Sequence, residues 1–256
     1  MGRVLITGAS GAIGAEVAAL LAASGERVVA LLHRERRIVR NDGRALPLDG
    51  TGGSSVETLG GDVTQPRFGL PAADWERLRE RLDAIVHSAA ITDFGRPEEL
   101  YRAVNVEGTR NVLELAAGGA RAIPLVHVST AYVCGERHGV VREDELAVGQ
   151  SFANAYERSK HDAELLVRAA AARGLPVTIA RPSIVVGAAR SGVTRDFKGM
   201  YLFVKLLVEE RLSLVPASYD ALVDFVPIDY VAEAIAELAR RPRETAGSTL
   251  HLVGAT

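Results

Sequence analysis

Tyr156 and Lys160 stand four residues apart in the stretch NAYERSKHDAE, a spacing that puts both side chains on one face of a helix. A tyrosine of ordinary pKa, near ~10, is a poor acid-base group at neutral pH, and a neighbouring ammonium would lower it by stabilising the phenolate. The chemistry implied is proton transfer to an oxygen. A hydroxyl is also needed to hold that oxygen as charge develops on it. Thr130, in the stretch VSTAY, supplies one, and Ser129 beside it is the rival. On its own the Tyr/Lys pair is a weak signal, because such pairs are common on solvated helix faces.

A second constellation gives the pair its context. The stretch TGASGAIG, Thr7 to Gly14, follows the apolar run Val4-Leu5-Ile6 and precedes a helical pattern. Glycines spaced three apart between a strand and a helix let the turn take positive φ, let backbone approach a diphosphate, and let helix pack on strand. The free amides and positive dipole end of the helix then hold the anion. Thr7, Gly8, Ser10, Gly11, Ala12, Ile13 and Gly14 are the expected contacts of a dinucleotide. A second strand, Arg27 to Leu32, completes a strand-helix-strand unit and ends in His33-Arg34, with Arg36 and Arg37 behind. An acidic residue there would bond a ribose 2′-hydroxyl and favour NAD. A guanidinium instead suits a 2′-phosphate, so NADPH is the expected cofactor, with Arg34 the main contact and His33 beside it.

These groups need a scaffold that brings strand ends to one edge. Asn41 to Ser55 is rich in Gly, Ser and Asp and is expected to be an exposed loop. A short third strand, Val56 to Leu59, leads to Asp62 and Val63, placed to meet the adenine, with a turn cap as the competing role of Asp62. A helix over Trp75 to Leu82 and a strand over Asp83 to His87 follow, the strand ending in Ser88, Ala89 and Ala90, small enough to admit the cofactor. Helix Pro97 to Ala117 contains Asn105. Strand Leu125 to Val128 runs into Ser129-Thr130, helix Asn154 to Arg173 carries Tyr156 and Lys160, and strand Val177 to Ala180 ends at Arg181-Pro182. This alternation implies a doubly wound parallel α/β sheet of Rossmann type, with ligands beyond the carboxyl ends of the strands.

Past Pro182 the rhythm breaks. A loop over Ser191 to Arg195, an amphipathic helix over Asp196 to Glu210 and an irregular stretch from Leu212 to Leu222 form an expected substrate-binding insertion at the ligand edge. Extended residues Val223 to Phe225, a helix Tyr230 to Ala239 and a strand Thr249 to Val253 resume the pattern. The expected organisation is a dinucleotide-binding domain over 1–182, an insertion over 183–222, and a return to the core over 223–256.

Taken together, TGASGAIG, Asp62-Val63, HSAA, VNVEGTRN, VSTAYVCG, YERSK and RPSIVVG resemble an extended short-chain dehydrogenase/reductase, and the resemblance runs along essentially the whole chain. It implies a catalytic triad at Thr130, Tyr156 and Lys160, the active hydroxyl lying five residues before Gly135. Lys160 would also bond the nicotinamide ribose, Pro182 would line the cofactor, and Asn105 would play an auxiliary part. A narrower resemblance, carried by GDVTQPRFGL, SFANAYERSKHDAE and DFVPIDYVAEAI, is to the thioester reductase branch: terminal reductase domains of carboxylic acid reductases, nonribosomal peptide synthetases and fatty acyl reductases. This implies NADPH-dependent reduction of an acyl thioester, borne by an acyl carrier protein or coenzyme A, to aldehyde or alcohol. Arg190 and Arg195 could meet the phosphate of the phosphopantetheine arm, or merely solvate a loop. Family members usually continue with substrate-domain helices, so the chain is expected to end short of a full substrate domain. The alternatives are a ketone or aldehyde reductase, a nucleotide-sugar epimerase or dehydratase, and a non-catalytic NADP-binding sensor.

Composition fits this reading. Of 256 residues 48% are hydrophobic and 24% charged, with a net charge of -2, so no global field recruits nucleic acid or an anionic membrane. The one cysteine, Cys134, excludes an intramolecular disulfide, argues against a cysteine-based metal site, and fits a reducing cytosol. No stretch is long and apolar enough to be expected to span a membrane, and no export signal is read. Oligomeric state is left open.

Overall fold

Strand β1 (Arg3–Thr7) is buried from Val4 onward, and its side chains split by parity between two cores. Val4 and Ile6 face one side and Leu5 the other, and the neighbouring strands divide in the same way, Val28 and Ala30 against Val29 and Leu31. Continuous apolar strands of this kind need helices on both faces, which only long crossover connections supply.

The computed structural model describes residues 2–48, 55–197, 199–211 and 222–254. After β1 come α1 (Ala12–Ala23), β2 (Arg27–Leu32), β3 (Val56–Gly60), α2 (Ala72–Arg81) and β4 (Ala84–His87). A helical stretch follows as α3 (Glu98–Tyr101), a π-helical segment (Arg102–Glu107) and α4 (Gly108–Ala117). Then come β5 (Leu125–Val128), α5 (Ala155–Ala172), β6 (Val177–Pro182), β7 (Ile184–Val186), α6 (Met200–Val208), β8 (Phe225–Pro227), α7 (Ile228–Arg240) and β9 (Thr249–Leu252).

Among the described residues seven strands make one sheet in the order β3-β2-β1-β4-β5-β6-β9, every neighbouring pair parallel. Helices α1 and α7 cover one face; α2, α4 and α5 cover the other, around Trp75, Leu115 and Val167. The strand order reverses between β1 and β4, so a crevice opens beyond their carboxyl ends. This is the expected doubly wound α/β fold. No helix among the described residues is long and apolar enough to cross a membrane.

Four details depart from expectation. The helix across Asn105 contains a π-helical segment, which places the buried Asn105 side chain toward α5. The stretch after β2 is not wholly exposed: Ile38 is buried, and Arg40 and Asn41 both bond the Glu16 carboxylate on α1, which draws the loop down. Residues 49–54 of that expected loop lie outside the described residues. Strands β7 and β8 pair in a small second sheet that the sequence did not suggest. Of the irregular stretch expected over 212–222, residues 212–221 also lie outside the described residues, and α6 begins at Met200 rather than Asp196.

Candidate active site

The turn after β1 is built for close approach. Gly8 sits at φ 73°, and a Cβ there would come within 2.6 Å of the Ala89 amide nitrogen just past β4. A Cβ on Gly14 would fall 2.2 Å from the Gly8 carbonyl oxygen. So β1, β4 and the start of α1 close together only with glycine at these positions. Helix α1 begins without a side-chain cap and without an acidic residue in its first turn, which leaves its leading amides and positive dipole end for an anion. The cradle therefore fits the diphosphate of a dinucleotide. Thr7, Gly8, Ser10, Gly11, Ala12, Ile13 and Gly14 all belong to this turn, and Ser88 and Ala89 are tied to it: the Ser88 amide donates to the Thr7 carbonyl at 3.2 Å and the Ala89 amide to Thr7 Oγ1 at 3.3 Å. Ala90 continues the same strand end.

On one side of the cradle, β2 and β3 bring three expected residues together. His33 Nδ1 lies 3.4 Å from Asp62 Oδ2, and Arg34 Nε donates to His33 Nε2 at 3.2 Å. The other oxygen of Asp62 accepts from the Thr64 amide at 2.9 Å, so this side chain also caps its turn, the competing role weighed for it. Val63 is held through its carbonyl by Asn111 Nδ2 at 2.7 Å. Arg34 is exposed at the strand end.

On the other side lie Thr130, Tyr156 and Lys160. The Thr130 side chain lies near enough to Tyr156 to act on its phenol, while Thr130 Oγ1 donates to the Pro182 carbonyl at 3.4 Å and accepts from the Tyr132 amide at 3.3 Å. Lys160 Nζ donates to the Val128 carbonyl at 2.8 Å. Asn154 caps α5 by accepting from the Glu157 amide at 2.9 Å, which fixes the start of the helix just before Tyr156. Phe94 meets the Tyr156 ring edge-on with centroids 5.9 Å apart, and Tyr101 packs behind at 6.4 Å. Ser183, next to Pro182, has a buried hydroxyl without a partner among the described residues.

The two sides are wired together. Thr7 Oγ1 and His87 Nδ1 are hydrogen-bonded at 2.7 Å, and His87 Nε2 meets Thr109 Oγ1 at 2.9 Å. Thr109 donates to the Asn105 carbonyl, Asn105 Nδ2 donates to Ser159 Oγ at 2.9 Å, and Ser159 donates to the Tyr156 carbonyl at 2.7 Å. A buried polar chain thus runs from the glycine turn to the helix that carries the tyrosine.

Ser129 and Thr130, the rivals for the hydroxyl role, have different partners. Ser129 Oγ donates to Glu164 Oε2 at 2.6 Å, while Thr130 is the neighbour that acts on the Tyr156 phenol. Glu164 is fully buried and also accepts from Arg181 Nη2 at 2.7 Å and from Arg168 Nε at 3.0 Å. Burial works against its charge, but the guanidiniums and Ser129 hold its carboxyl below the ordinary carboxylate range. Sequence reading missed Glu164 and Arg181. The signal was present: Glu164 lies one helical step beyond Lys160 on the same face, and an arginine inside the buried strand VTIARP requires a counter-charge.

The titration of the pair differs from expectation. Burial pushes the Tyr156 phenol up to about 12, only partly offset by the Thr130 hydrogen bond, rather than Lys160 drawing it down. Burial also pushes Lys160 down to about 8, against the raising effect of Glu164. Burial is the largest influence on both groups, and Lys160 Nζ spends a hydrogen bond on the Val128 carbonyl.

A glycine turn at the carboxyl edge of a doubly wound parallel sheet, with a threonine, a tyrosine and a lysine gathered at the same edge, is the pattern of extended short-chain dehydrogenases/reductases. Residues 6–235 match the profile of an NAD-binding family described as Male sterility protein. The terminal R domain from the myxalamid PKS-NRPS biosynthetic pathway is 36% identical, with a TM-score of 0.87, over 100% of this chain and 66% of that one. A thiolation-reductase di-domain from an archaeal non-ribosomal peptide synthetase is 25% identical, with a TM-score of 0.79, over 99% of this chain and 56% of that one. Glycine betaine reductase ATRR of Emericella nidulans is 33% identical over 190 residues, 73% of this chain and 15% of that protein. The chain therefore spans under a fifth of this curated relative and just under two thirds of the R domain. It belongs to the extended short-chain dehydrogenase/reductase family, in the thioester reductase branch.

Proposed function

We propose that the chain is an NADPH-dependent reductase of acyl thioesters carried on a phosphopantetheine arm, from an acyl carrier protein or coenzyme A. The observation that carries the reading is the gathering of Thr130, Tyr156 and buried Lys160, whose Nζ donates to the Val128 carbonyl at the end of β5, at the strand edge that the glycine cradle shares. The thioester substrate and carrier are supported by the likeness to a terminal R domain and to a thiolation-reductase di-domain. The preference for NADPH is supported by exposed Arg34 at the end of β2. In this reading residues 1–182 and 223–256 hold the cofactor, and 183–222 shape the acyl site.

The glycine turn and the α1 amides hold the diphosphate, Arg34 and His33 the adenosine ribose and its phosphate, Asp62 and Val63 the adenine, and Ser88, Ala89, Ala90 and Pro182 the walls. NADPH bound there supplies the hydride that reduces the substrate carbonyl carbon. Thr130 Oγ1 and Tyr156 Oη donate hydrogen bonds to the carbonyl oxygen and stabilise the charge that grows on it. At a pKa of about 12 the phenol is fully protonated at neutral pH, so the proton sits on Oη when needed. It passes to the substrate oxygen, and the Lys160 ammonium stabilises the resulting phenolate. Loss of the thiol from the tetrahedral adduct leaves an aldehyde, and a second round gives the alcohol.

The test is NADPH oxidation with acyl-CoA and acyl-phosphopantetheine thioesters, set against simple aldehydes, ketones and nucleotide sugars. Thioester-dependent oxidation is expected. Turnover of the other substrates with none of any thioester would refute the proposal.

A further inference from the structure

Arg195 leaves the segment between β7 and α6, and its guanidinium donates a hydrogen bond to the carbonyl of Ser10, inside the glycine turn and 185 residues away in sequence. The segment that presents it is anchored. The Gly187 amide donates to the Tyr201 hydroxyl at 2.7 Å, the Ala188 amide donates to the Val193 carbonyl at 3.1 Å to close a turn, and the Ala189 amide reaches the Asp229 carboxylate, in the first turn of α7, at 3.1 Å. Arg195 is itself exposed, so its side chain is free to shift without disturbing the core.

Its position is electrostatically odd. The amino end of α1 carries the positive pole of the helix and has neither an acidic residue nor a side-chain cap in its first turn. A guanidinium beside that pole is repelled, and one backbone carbonyl occupies only one of its five N–H donors. An anion between the two reverses the sign of the arrangement, because both then point positive charge at it.

We infer that Arg195 is the outer jaw of the diphosphate site, closing over the dinucleotide's diphosphate from the side opposite the glycine turn. The inference rests on the dinucleotide reading above and adds a residue from the segment assigned to the substrate. It also separates two arginines by task. Arg34, at the end of β2, reads the 2′-phosphate that only NADPH has. Arg195 reads the diphosphate that NADPH and NADH share.

The experiment is equilibrium binding of NADPH and of NADH to the full chain, followed by nicotinamide fluorescence. R195A is expected to weaken both dinucleotides by the same factor, about tenfold, as the loss of one charge-assisted hydrogen bond implies. The ratio of the two affinities stays as in the wild type, R195K keeps part of the binding, and R190A, in the same exposed segment, changes neither. Wild-type affinity in R195A, a loss confined to NADPH, or an equal loss in R190A overturns the inference. A wild-type chain that binds neither dinucleotide overturns the cofactor reading itself, and the jaw with it.

Discussion

Glu164→Gln isolates the buried charge cluster beneath the active site. Glu164 is fully buried and neutralises Arg181, which is 1% exposed, through bonds of 2.7 and 3.1 Å. Glutamine keeps the shape but leaves the Arg181 guanidinium without its counter-charge, a loss of about 3 to 5 kcal/mol for a buried pair broken on one side. For a domain of this size that corresponds to a fall in Tm of about 6 to 20 °C. Urea unfolding followed by the single tryptophan, Trp75, buried between α2 and the sheet, measures it. The pH dependence adds a sign. Because the folded carboxyl titrates below its ordinary value, its stabilisation is present above that value and fades as pH falls through the folded pKa; E164Q should lack that acid limb. The double variant E164Q/R181M removes both charges and should recover much of the loss, since replacing a buried pair by apolar volume is near neutral. A loss below about 1 kcal/mol in E164Q, or a double variant no more stable than the single, would refute the assignment of the pair as the clamp between α5 and β6.

Tyr156→Phe should cut turnover by about 10²- to 10⁴-fold while NADPH affinity stays close to wild type; equal turnover would refute Tyr156 as the proton donor. Arg34→Ala should lower the preference for NADPH over NADH about tenfold, read as a ratio of dissociation constants, and an unchanged ratio would point to NAD chemistry. Lys160 titrates at about 8, so kcat/KM should fall as pH rises through that value while the phenol, at about 12, stays protonated; in K160R the limb at 8 should vanish from whatever activity remains. The same depressed lysine makes the folded chain bind fewer protons than the unfolded one between about 8 and 10.5, so its contribution to stability rises with pH across that window.

The architecture was legible because each strand is a short apolar run ended by a small or polar residue, and each crossover carries a helical period. Glycine spacing located the cradle, and the YxxxK pair located the helix opposite. Within the site, three things were not legible. Ser129 and Thr130 are equivalent by type, and only the Glu164 carboxylate, brought under β5 by α5, gives them different partners. The pKa balance of Tyr156 and Lys160 depends on how far tertiary packing withdraws each from water, which spacing does not encode. Arg195 reaches Ser10 across the whole chain, a contact with no local signal at all.

The buried charges around Lys160 bear on how the site works. Lys160 is buried with His87, whose pKa is pushed down to about 3, and with His127, also driven down by burial, so neither imidazole adds charge there and Lys160 is the one cation among the three. Its ammonium is matched by Glu164 one helical turn on, but that carboxylate is already shared with Arg181 and Arg168. The leading amides of α1, the Arg195 guanidinium and the Lys160 ammonium are thus donors gathered along a single edge. An edge so built binds a polyanion better than a neutral ligand, and binding satisfies donors that folding alone leaves partly used. Dinucleotide binding should therefore stabilise the chain by more than its contact area suggests. The gain should shrink with rising salt, as it would not if the cleft were held chiefly by apolar contact.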